Sequence, residues 1–154
     1  MFSKNQRGGR TMIDFGIEVG EKATFAKTIA ESDIYLFAGI TGDFSPNHVN
    51  DQFMKKSDYG QRIAHGLLTL ALSSTTSTMV TARSLAERTE YFPVSLGYDH
   101  VRFLKPVFIG DTLTINYEIV DLNPETFRSR SKIEVVNQRR EIVMVGEHLM
   151  KWVK

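Results

Sequence analysis

The sequence contains no cysteine. This absence excludes disulfide bonds, thiolate-ligated metals, iron–sulfur clusters and cysteine nucleophiles. With 154 residues, 42% of them hydrophobic, the chain is nevertheless long enough to bury one core without such cross-links.

A charge imbalance and a long apolar run are also missing. The 19 Lys and Arg residues nearly balance the 18 Asp and Glu residues, whereas a protein that coats nucleic acid usually carries a basic excess. No apolar run reaches the roughly 18 residues that a membrane helix needs, and the amino terminus lacks the apolar stretch of a secretory signal. We therefore expect a cytoplasmic protein with neither a nucleic-acid nor a membrane partner.

Repeats, low-complexity tracts and proline-rich or serine-rich linkers are absent as well. This predicts one domain over residues 12–154. The polar, basic and glycine-containing residues 1–11 are expected to form a disordered or flexible tail.

What the sequence does contain is a change of periodicity. Residues 23–30 favour a strand, and residues 33–41 repeat apolar side chains at helical spacing, with Ser32 as the expected N-cap and Gly42 as the end. Residues 66–80 form a long uncharged segment typical of a buried helix. Four candidate strands follow at 96–104, 112–119, 127–134 and 142–145. This order predicts an α+β fold whose antiparallel sheet hides the uncharged helix on all sides.

The loop between the two predicted helices carries groups that can do chemistry. Asp43 and His48 lie five residues apart, and Pro46 prevents a continuous helix there. His65 and Gly66 open the uncharged helix. A carboxylate beside an imidazole supports acid–base chemistry on water, and free N–H groups at a helix start can stabilise an oxyanion. The combination suits addition of water to a polarised double bond, and it also suits hydrolysis.

A metal site is not expected. Asp43, His48 and His65 could be imagined as zinc ligands, but they match no known metal-ligand spacing. The hydroxyl groups of residues 73–78 have no base beside them in the sequence, so they are not expected to act as nucleophiles.

Three segments resemble the MaoC-like dehydratases, a family that includes the (R)-specific enoyl-CoA hydratases. They are FAGITGDFSPNHVN at residues 37–50, GQRIAHG at 60–66 and VRFLKPVFIGD at 101–111. The resemblance covers residues 20–152. It implies a hot-dog fold, in which an antiparallel sheet wraps around a long central helix, and a homodimer or higher homo-oligomer.

The resemblance also implies an activity and residue roles. Asp43 and His48 match the pair that activates the water added to a trans-2-enoyl thioester, which gives an (R)-3-hydroxyacyl thioester, or removed in the reverse reaction. Gly66 matches the position whose N–H binds the thioester oxygen. No cofactor is implied beyond the coenzyme A that the substrate carries. Substrate binding is expected at four residues around the helix start: Ile63, Ala64, His65 and Leu67.

Two positions depart from the family loop, which commonly reads Gly-Asp-x-Asn-Pro, followed by an aliphatic residue and histidine. Ser45 stands in place of the asparagine that helps to shape the loop, and its side chain is shorter. Asn47 stands in place of the aliphatic residue. Because alternate loop residues point in different directions, Asn47 either alters the acyl pocket or faces solvent, and we expect it to face solvent.

Two other functions stay open at this point. A hot-dog acyl-CoA thioesterase also uses an acid and a helix start, and a non-catalytic acyl-binding subunit would share the fold. The acyl carrier is either coenzyme A or an acyl-carrier protein, and both are anionic. The basic residues that could bind either carrier are Lys55, Lys56, Arg102, Lys105, Arg139 and Arg140.

Overall fold

The fold is built from one sheet and a series of helices. The computed structural model describes residues 13–86 and 90–154, so the tail expected at residues 1–11 lies outside the described residues. The elements in chain order are β1 (Lys22–Thr28), α1 (Glu31–Thr41), α2 (Pro46–Val49), α3 (Asp51–Met54), α4 (Gly66–Ala71), α5 (Ser73–Ala86), β2 (Phe92–Phe103), β3 (Thr112–Asn123), β4 (Arg128–Val136) and β5 (Ile142–Val153).

All strands of this set form one antiparallel sheet in the order β1-β3-β4-β5-β2. Strand β3 alternates buried and half-buried residues over most of its length, because its apolar side chains repeat every second position. Strand β5 runs to Val153, so the predicted strand at 142–145 was too short. Gly146, Glu147 and His148 interrupt the apolar run in the sequence, although the backbone continues to pair with β2 and β4.

The uncharged segment forms α4 and α5, with Leu72 between them. The inward face of α5 packs on β1, β2 and β3 and buries residues such as Ser73, Thr76 and Val80. The hydroxyl groups of Ser73 and Thr76 donate to carbonyl oxygens of the helical segment itself. Ser73 Oγ donates to Leu70 O at 2.7 Å, and Thr76 Oγ1 donates to Ser73 O at 2.8 Å.

The prediction that the sheet hides this helix on all sides is wrong. One face of the helix is exposed, because the sheet covers α5 from one side only. Serine and threonine side chains on this face can bond to carbonyls of their own helix, as Thr78 does with Ser74 O at 3.1 Å. We call this surface the open helix face; it consists of Ala71, Ser74, Thr75, Thr78, Met79 and Ala82.

Helix α1 ends as predicted and begins differently. Gly42 follows its last residue in the left-handed conformation, with φ of 78°. Its N-cap is Ala30 rather than Ser32. The Asp33 carboxylate accepts a hydrogen bond from Ala30 N–H at 2.8 Å. An acid in the first turn therefore satisfies the backbone donor of the N-cap residue.

An antiparallel sheet packed on a long central helix is the hot-dog fold that the family resemblance implied. Across residues 13–86 and 90–154, no helix combines the length and the apolar character needed to cross a membrane.

A polar network lies inside the core, between the sheet and α5. His148 is 1% exposed and stacks on the ring of Tyr98, with 4.5 Å between ring centroids. Its Nδ1 lies 2.8 Å from Tyr117 Oη, and its Nε2 lies 2.8 Å from Ser95 Oγ. Burial lowers the pKa of His148 to about 4 and raises the pKa of Tyr117 to about 12. Both side chains are therefore neutral at pH 7.

This network makes the stability of the fold sensitive to acid. Because the pKa of His148 is about 4 in the folded chain and ordinarily 6.5, the unfolded chain binds a proton first as the pH falls. The free energy of unfolding should decrease between about pH 6.5 and 4, by up to about 1.4 kcal/mol per pH unit from this residue. Chemical denaturation of the His148→Gln variant should show a shallower dependence, while the exposed control His100→Gln should not. An unchanged slope in His148→Gln would contradict the assignment.

Candidate active site

The loop after α1 is shaped by short-range hydrogen bonds. Asp43 Oδ1 accepts from Ser45 N–H at 3.2 Å, and Ser45 O accepts from His48 N–H at 2.9 Å. Pro46 begins α2, where the missing N–H has no helical partner to lose. The Ser45 hydroxyl takes part in none of these bonds. In the loop shaped by the other bonds, His48 points inward and is 8% exposed, whereas Asp43 stays exposed.

The hydrogen bond of His48 to the backbone fixes which of its nitrogens is free. Nδ1 lies 2.8 Å from the carbonyl oxygen of Ile63. A carbonyl only accepts, so in the neutral ring Nδ1 carries the proton and Nε2 carries the lone pair. Nε2 lies 3.9 Å from Asp43 Oδ2. This distance is too long for a direct hydrogen bond, but a water about 2.8 Å from each atom would bridge them.

His65 lies on the buried side of the His48 ring and does not line the cavity beside it. It is 2% exposed, and its ring stacks on the His48 ring with 3.7 Å between centroids. Its Nε2 lies 3.0 Å from Asp43 O, a carbonyl oxygen to which it must donate. His65 therefore supports both predicted catalytic residues, the ring of one and the backbone of the other. Its Nδ1 is buried without a hydrogen-bond partner among the described residues.

The three residues of this cluster are close enough to be considered as metal ligands. Asp43, His48 and His65 each offer one ligand atom, and these atoms lie within 4.8 Å of one another. His48 and His65 each use one ring nitrogen on a backbone carbonyl. The expectation that no metal binds stays a prediction.

Gly66 provides the first N–H of α4. In the described part of the chain, no acceptor is hydrogen-bonded to this N–H. The residue cannot carry a side chain without a rearrangement, because a Cβ at this position would lie 2.8 Å from Cε2 of Phe103. Glycine is thus required by the close approach of an aromatic ring, and the N–H remains free for a ligand.

A cavity of about 330 Å³ opens beside His48 and Gly66. Of the four residues predicted to bind substrate, Ile63 and Ala64 line it. His65 is buried behind His48, and Leu67 is 60% exposed and does not line this cavity. The other lining residues are Asn47, Tyr59, Thr69, Phe103, Leu104, Lys105, Pro106, Val107 and Val143.

The prediction that Asn47 faces solvent is wrong. The residue is half-buried and lines the cavity, and its Nδ2 lies 3.3 Å from His48 Nε2. Alternation of side chains predicted the opposite direction because it assumes an extended loop. Residues 46–49 instead form one helical turn, in which neighbouring residues share a side of the loop.

One of the predicted basic candidates, Lys105, also lines the cavity. Its Nζ lies 2.6 Å from Glu141 Oε1, and Arg139 Nε lies 2.9 Å from Glu141 Oε2. Hydrogen bonds from Asn137, Lys105 and Arg139 lower the pKa of Glu141 to about 2. Two of the candidate cations therefore contact one carboxylate.

Tyr59 also lines the cavity. The sequence did not predict this, since no motif marks the residue.

A buried arginine connects the loop to α1. Arg62 is 6% exposed and donates from Nε to Asp51 Oδ1 at 2.8 Å and from Nη1 to Tyr35 Oη at 3.0 Å. It also contacts Glu31 through Nη2. The hydrogen bond to Glu31 and the contact with Asp51 raise the pKa of Arg62, whereas burial opposes this. Ile63 is the next residue after Arg62 in the chain. The contacts of Arg62 therefore also hold the carbonyl of Ile63, to which His48 is hydrogen-bonded.

Loss of the Arg62 side chain should destabilise the fold. The Arg62→Met variant removes three hydrogen bonds, two of them to carboxylates that are more than half exposed and that water can solvate instead, and we expect the free energy of unfolding to fall by about 1–2 kcal/mol. Arg102→Met removes an exposed guanidinium that contacts a backbone carbonyl, and should change it by less than about 0.5 kcal/mol. Equal losses in denaturant titrations of the two variants would contradict the role given to Arg62.

Comparison with known proteins identifies the family. Residues 14–142 match the MaoC-like domain. The chain is 38% identical over 135 residues to an (R)-specific enoyl-CoA hydratase of Rhodospirillum rubrum, covering 84% of this chain and 88% of that protein. It is 35% identical over 135 residues to a 3-hydroxybutyryl-CoA dehydratase of Methylorubrum extorquens, covering 88% and 80%.

A solved structure agrees with these matches. The unliganded R-hydratase from Pseudomonas aeruginosa superposes with a TM-score of 0.72 at 32% identity, covering 90% of this chain and 87% of that one. The chain therefore belongs to the MaoC-like domain family, and the resemblance inferred from its loop and helix start is confirmed.

Proposed function

We propose that this protein is a hydro-lyase of acyl thioesters. It adds water to a trans-2-enoyl-CoA to give an (R)-3-hydroxyacyl-CoA, and it catalyses the reverse dehydration. The observation that carries this proposal is the 3.9 Å gap between Asp43 Oδ2 and the lone pair of His48 Nε2, beside a cavity that Gly66 also lines. The curated relatives bear the names of the two directions of one reaction, a hydratase and a dehydratase.

The gap defines the place of the reacting water. Both facing atoms are hydrogen-bond acceptors, so a bridging water donates one hydrogen to the carboxylate and one to Nε2. Its oxygen lone pairs are then free to attack. As the bond from the water oxygen to the β-carbon forms, one water proton passes to the Asp43–His48 pair.

Gly66 supports the other end of the substrate. When the β-carbon is attacked, the electron pair of the double bond moves to the α-carbon and onto the thioester oxygen. The free N–H of Gly66 donates to that oxygen; a comparable donor in other oxyanion sites contributes about 2.7–4 kcal/mol. The pair then returns the proton to the α-carbon. Water is added and no electrons are exchanged, so the reaction balances without a redox cofactor.

The proposal includes a homodimer. Strand β2 is one of the two edges of the sheet, the other being β1, and its outer side has no partner strand in the described part of the chain. It exposes Phe92, Leu96 and Phe103 and lies against α5 beside the open helix face. A long unpaired edge with apolar side chains favours pairing with another strand. A second copy would offer the same edge about a two-fold axis.

The activity is tested by following crotonyl-CoA. The enoyl-thioester absorbance should fall without release of free thiol, and the product should be (R)-3-hydroxybutyryl-CoA. Asp43→Asn and His48→Gln should each lower kcat about 100-fold or more, because a side-chain amide can accept a hydrogen bond from the water but cannot take its proton. The exposed controls Asp58→Asn and His100→Gln should keep the wild-type rate, and circular dichroism should show all four folded.

Other results would point to the other candidate functions. Release of free thiol would identify a thioesterase. Full activity in both Asp43→Asn and His48→Gln would contradict the site. No change in either signal, with longer enoyl chains and acyl-carrier-protein esters also inert, would identify a non-catalytic acyl-binding subunit.

The dimer is tested by the molar mass in solution. Light scattering should give twice the mass of one chain. Met79→Lys places a charge in the open helix face and should shift the mass toward that of a monomer, because a buried unpaired charge disfavours association. Thr126→Lys, in the exposed turn between β3 and β4, is the matched control and should not. A monomeric wild-type protein would contradict this part of the proposal.

A further inference from the structure

The side-chain amide of Asn47 is hydrogen-bonded to His48 Nε2, the nitrogen that holds the water in the proposed reaction. Its Nδ2 lies 3.3 Å from His48 Nε2, the atom that faces Asp43. Because the His48 Nδ1 proton is committed to Ile63 O, Nε2 has only a lone pair to offer. The amide must therefore present its N–H rather than its oxygen. The lone pair of Nε2 therefore accepts a hydrogen bond from the protein itself.

The backbone of Asn47 cannot move aside. Its carbonyl accepts from Ile63 N–H at 3.0 Å, and Ile63 O in turn holds His48. These two hydrogen bonds hold the segment of residues 47 and 48 against residue 63. Only rotation of the Asn47 side chain can free Nε2, and this rotation carries the amide along the wall of the cavity that it lines.

A reacting water must compete with this amide. The water donates a hydrogen to Nε2, whereas the amide donates to the same lone pair. When the water takes its place, the amide N–H must donate elsewhere: to the water oxygen, which makes that oxygen a poorer nucleophile, or to an acceptor on the substrate. A buried donor without a partner costs about 1–3 kcal/mol. The barrier is lower if the substrate supplies a replacement acceptor close to the β-carbon.

We propose that Asn47 is a specificity-determining residue that favours enoyl thioesters with a hydrogen-bond acceptor on the acyl chain near the β-carbon. An ether, hydroxyl or carbonyl oxygen there accepts the amide N–H and releases Nε2 for the water. A plain alkyl chain leaves the N–H without this acceptor. This inference rests on the proposed hydratase function, and it concerns the choice of acyl group rather than the water-adding pair itself.

The cavity offers polar groups besides the amide. Most of the residues in its wall are apolar, but the hydroxyl-bearing residues Tyr59 and Thr69 and the side chain of Lys105 also line it. Tyr59 is 51% exposed and Thr69 is 2% exposed, so polar side chains border the cavity from its rim to its inner wall. An entirely alkyl chain would face several of these groups without bonding to them.

The test uses two substrates of the same shape. In trans-4-methoxybut-2-enoyl-CoA an oxygen replaces one methylene of trans-hex-2-enoyl-CoA. Wild-type protein should show at least a threefold higher kcat/KM for the ether, and Asn47→Leu should lose this preference while its kcat/KM for hex-2-enoyl-CoA rises. The intrinsic reactivity of the two esters cancels when the ratio is compared between variants. Gln61→Leu removes an exposed amide outside the cavity and should keep the wild-type ratio.

A second readout needs no substrate. In ¹⁵N spectra of the free protein, the His48 Nε2 resonance should move to higher frequency in Asn47→Leu, because the imine nitrogen loses its donor. The inference is overturned if this resonance stays in place or if the ratio is equal in wild type and Asn47→Leu. It is also overturned if crotonyl-CoA is hydrated but neither longer ester is. Failure of crotonyl-CoA together with both longer esters and the acyl-carrier-protein esters would instead reject the proposed function, which separates the two results.

Discussion

The hydrogen bond from His48 Nδ1 to the carbonyl of Ile63 is the contact on which the site depends. It determines that the neutral imidazole directs a lone pair, not a proton, toward Asp43. With the opposite tautomer, Nε2 would present a proton instead of a lone pair, and the gap would have one acceptor instead of two. The position of a proton on one ring therefore decides whether a water can be held for attack.

The rest of the fold keeps that carbonyl in place. Ile63 pairs with Phe108 in an isolated bridge, and Ala64 N–H donates to Val107 O at 2.8 Å, so the segment before α4 is tied to the loop between β2 and β3. On the other side, Arg62 joins the same segment to α1 and α3. The loop that carries Asp43 and His48 is short and irregular, but the segments next to it are each held by a separate element.

The fold and the proximity of His48 to both Asp43 and Gly66 were predictable from the sequence, because their signals are local. Gly42 and Pro46 mark where helices end and begin, and alternation along β3 marks a half-buried strand. Contacts that depend on three-dimensional packing were not. Nothing in the sequence shows that Phe103 lies on Gly66, that Arg62 is buried, or that His65 supports Asp43 rather than contacting the cavity. Asn47 was misplaced because one helical turn reversed the direction that an extended loop would give it.

The bond from His65 to Asp43 engages the backbone carbonyl and leaves the carboxylate untouched. The contact with His65 therefore uses an atom that every amino acid possesses, while the Asp43 side chain accepts from Ser45 N–H. An asparagine at position 43 has an oxygen that can accept the same bond, so the loop and the stacked histidines would be retained, yet it lacks the charged carboxylate that can take a proton from water. Shape and chemistry are thus separable at this position, and a single nucleotide change could turn a catalyst into a binding protein with an unaltered fold.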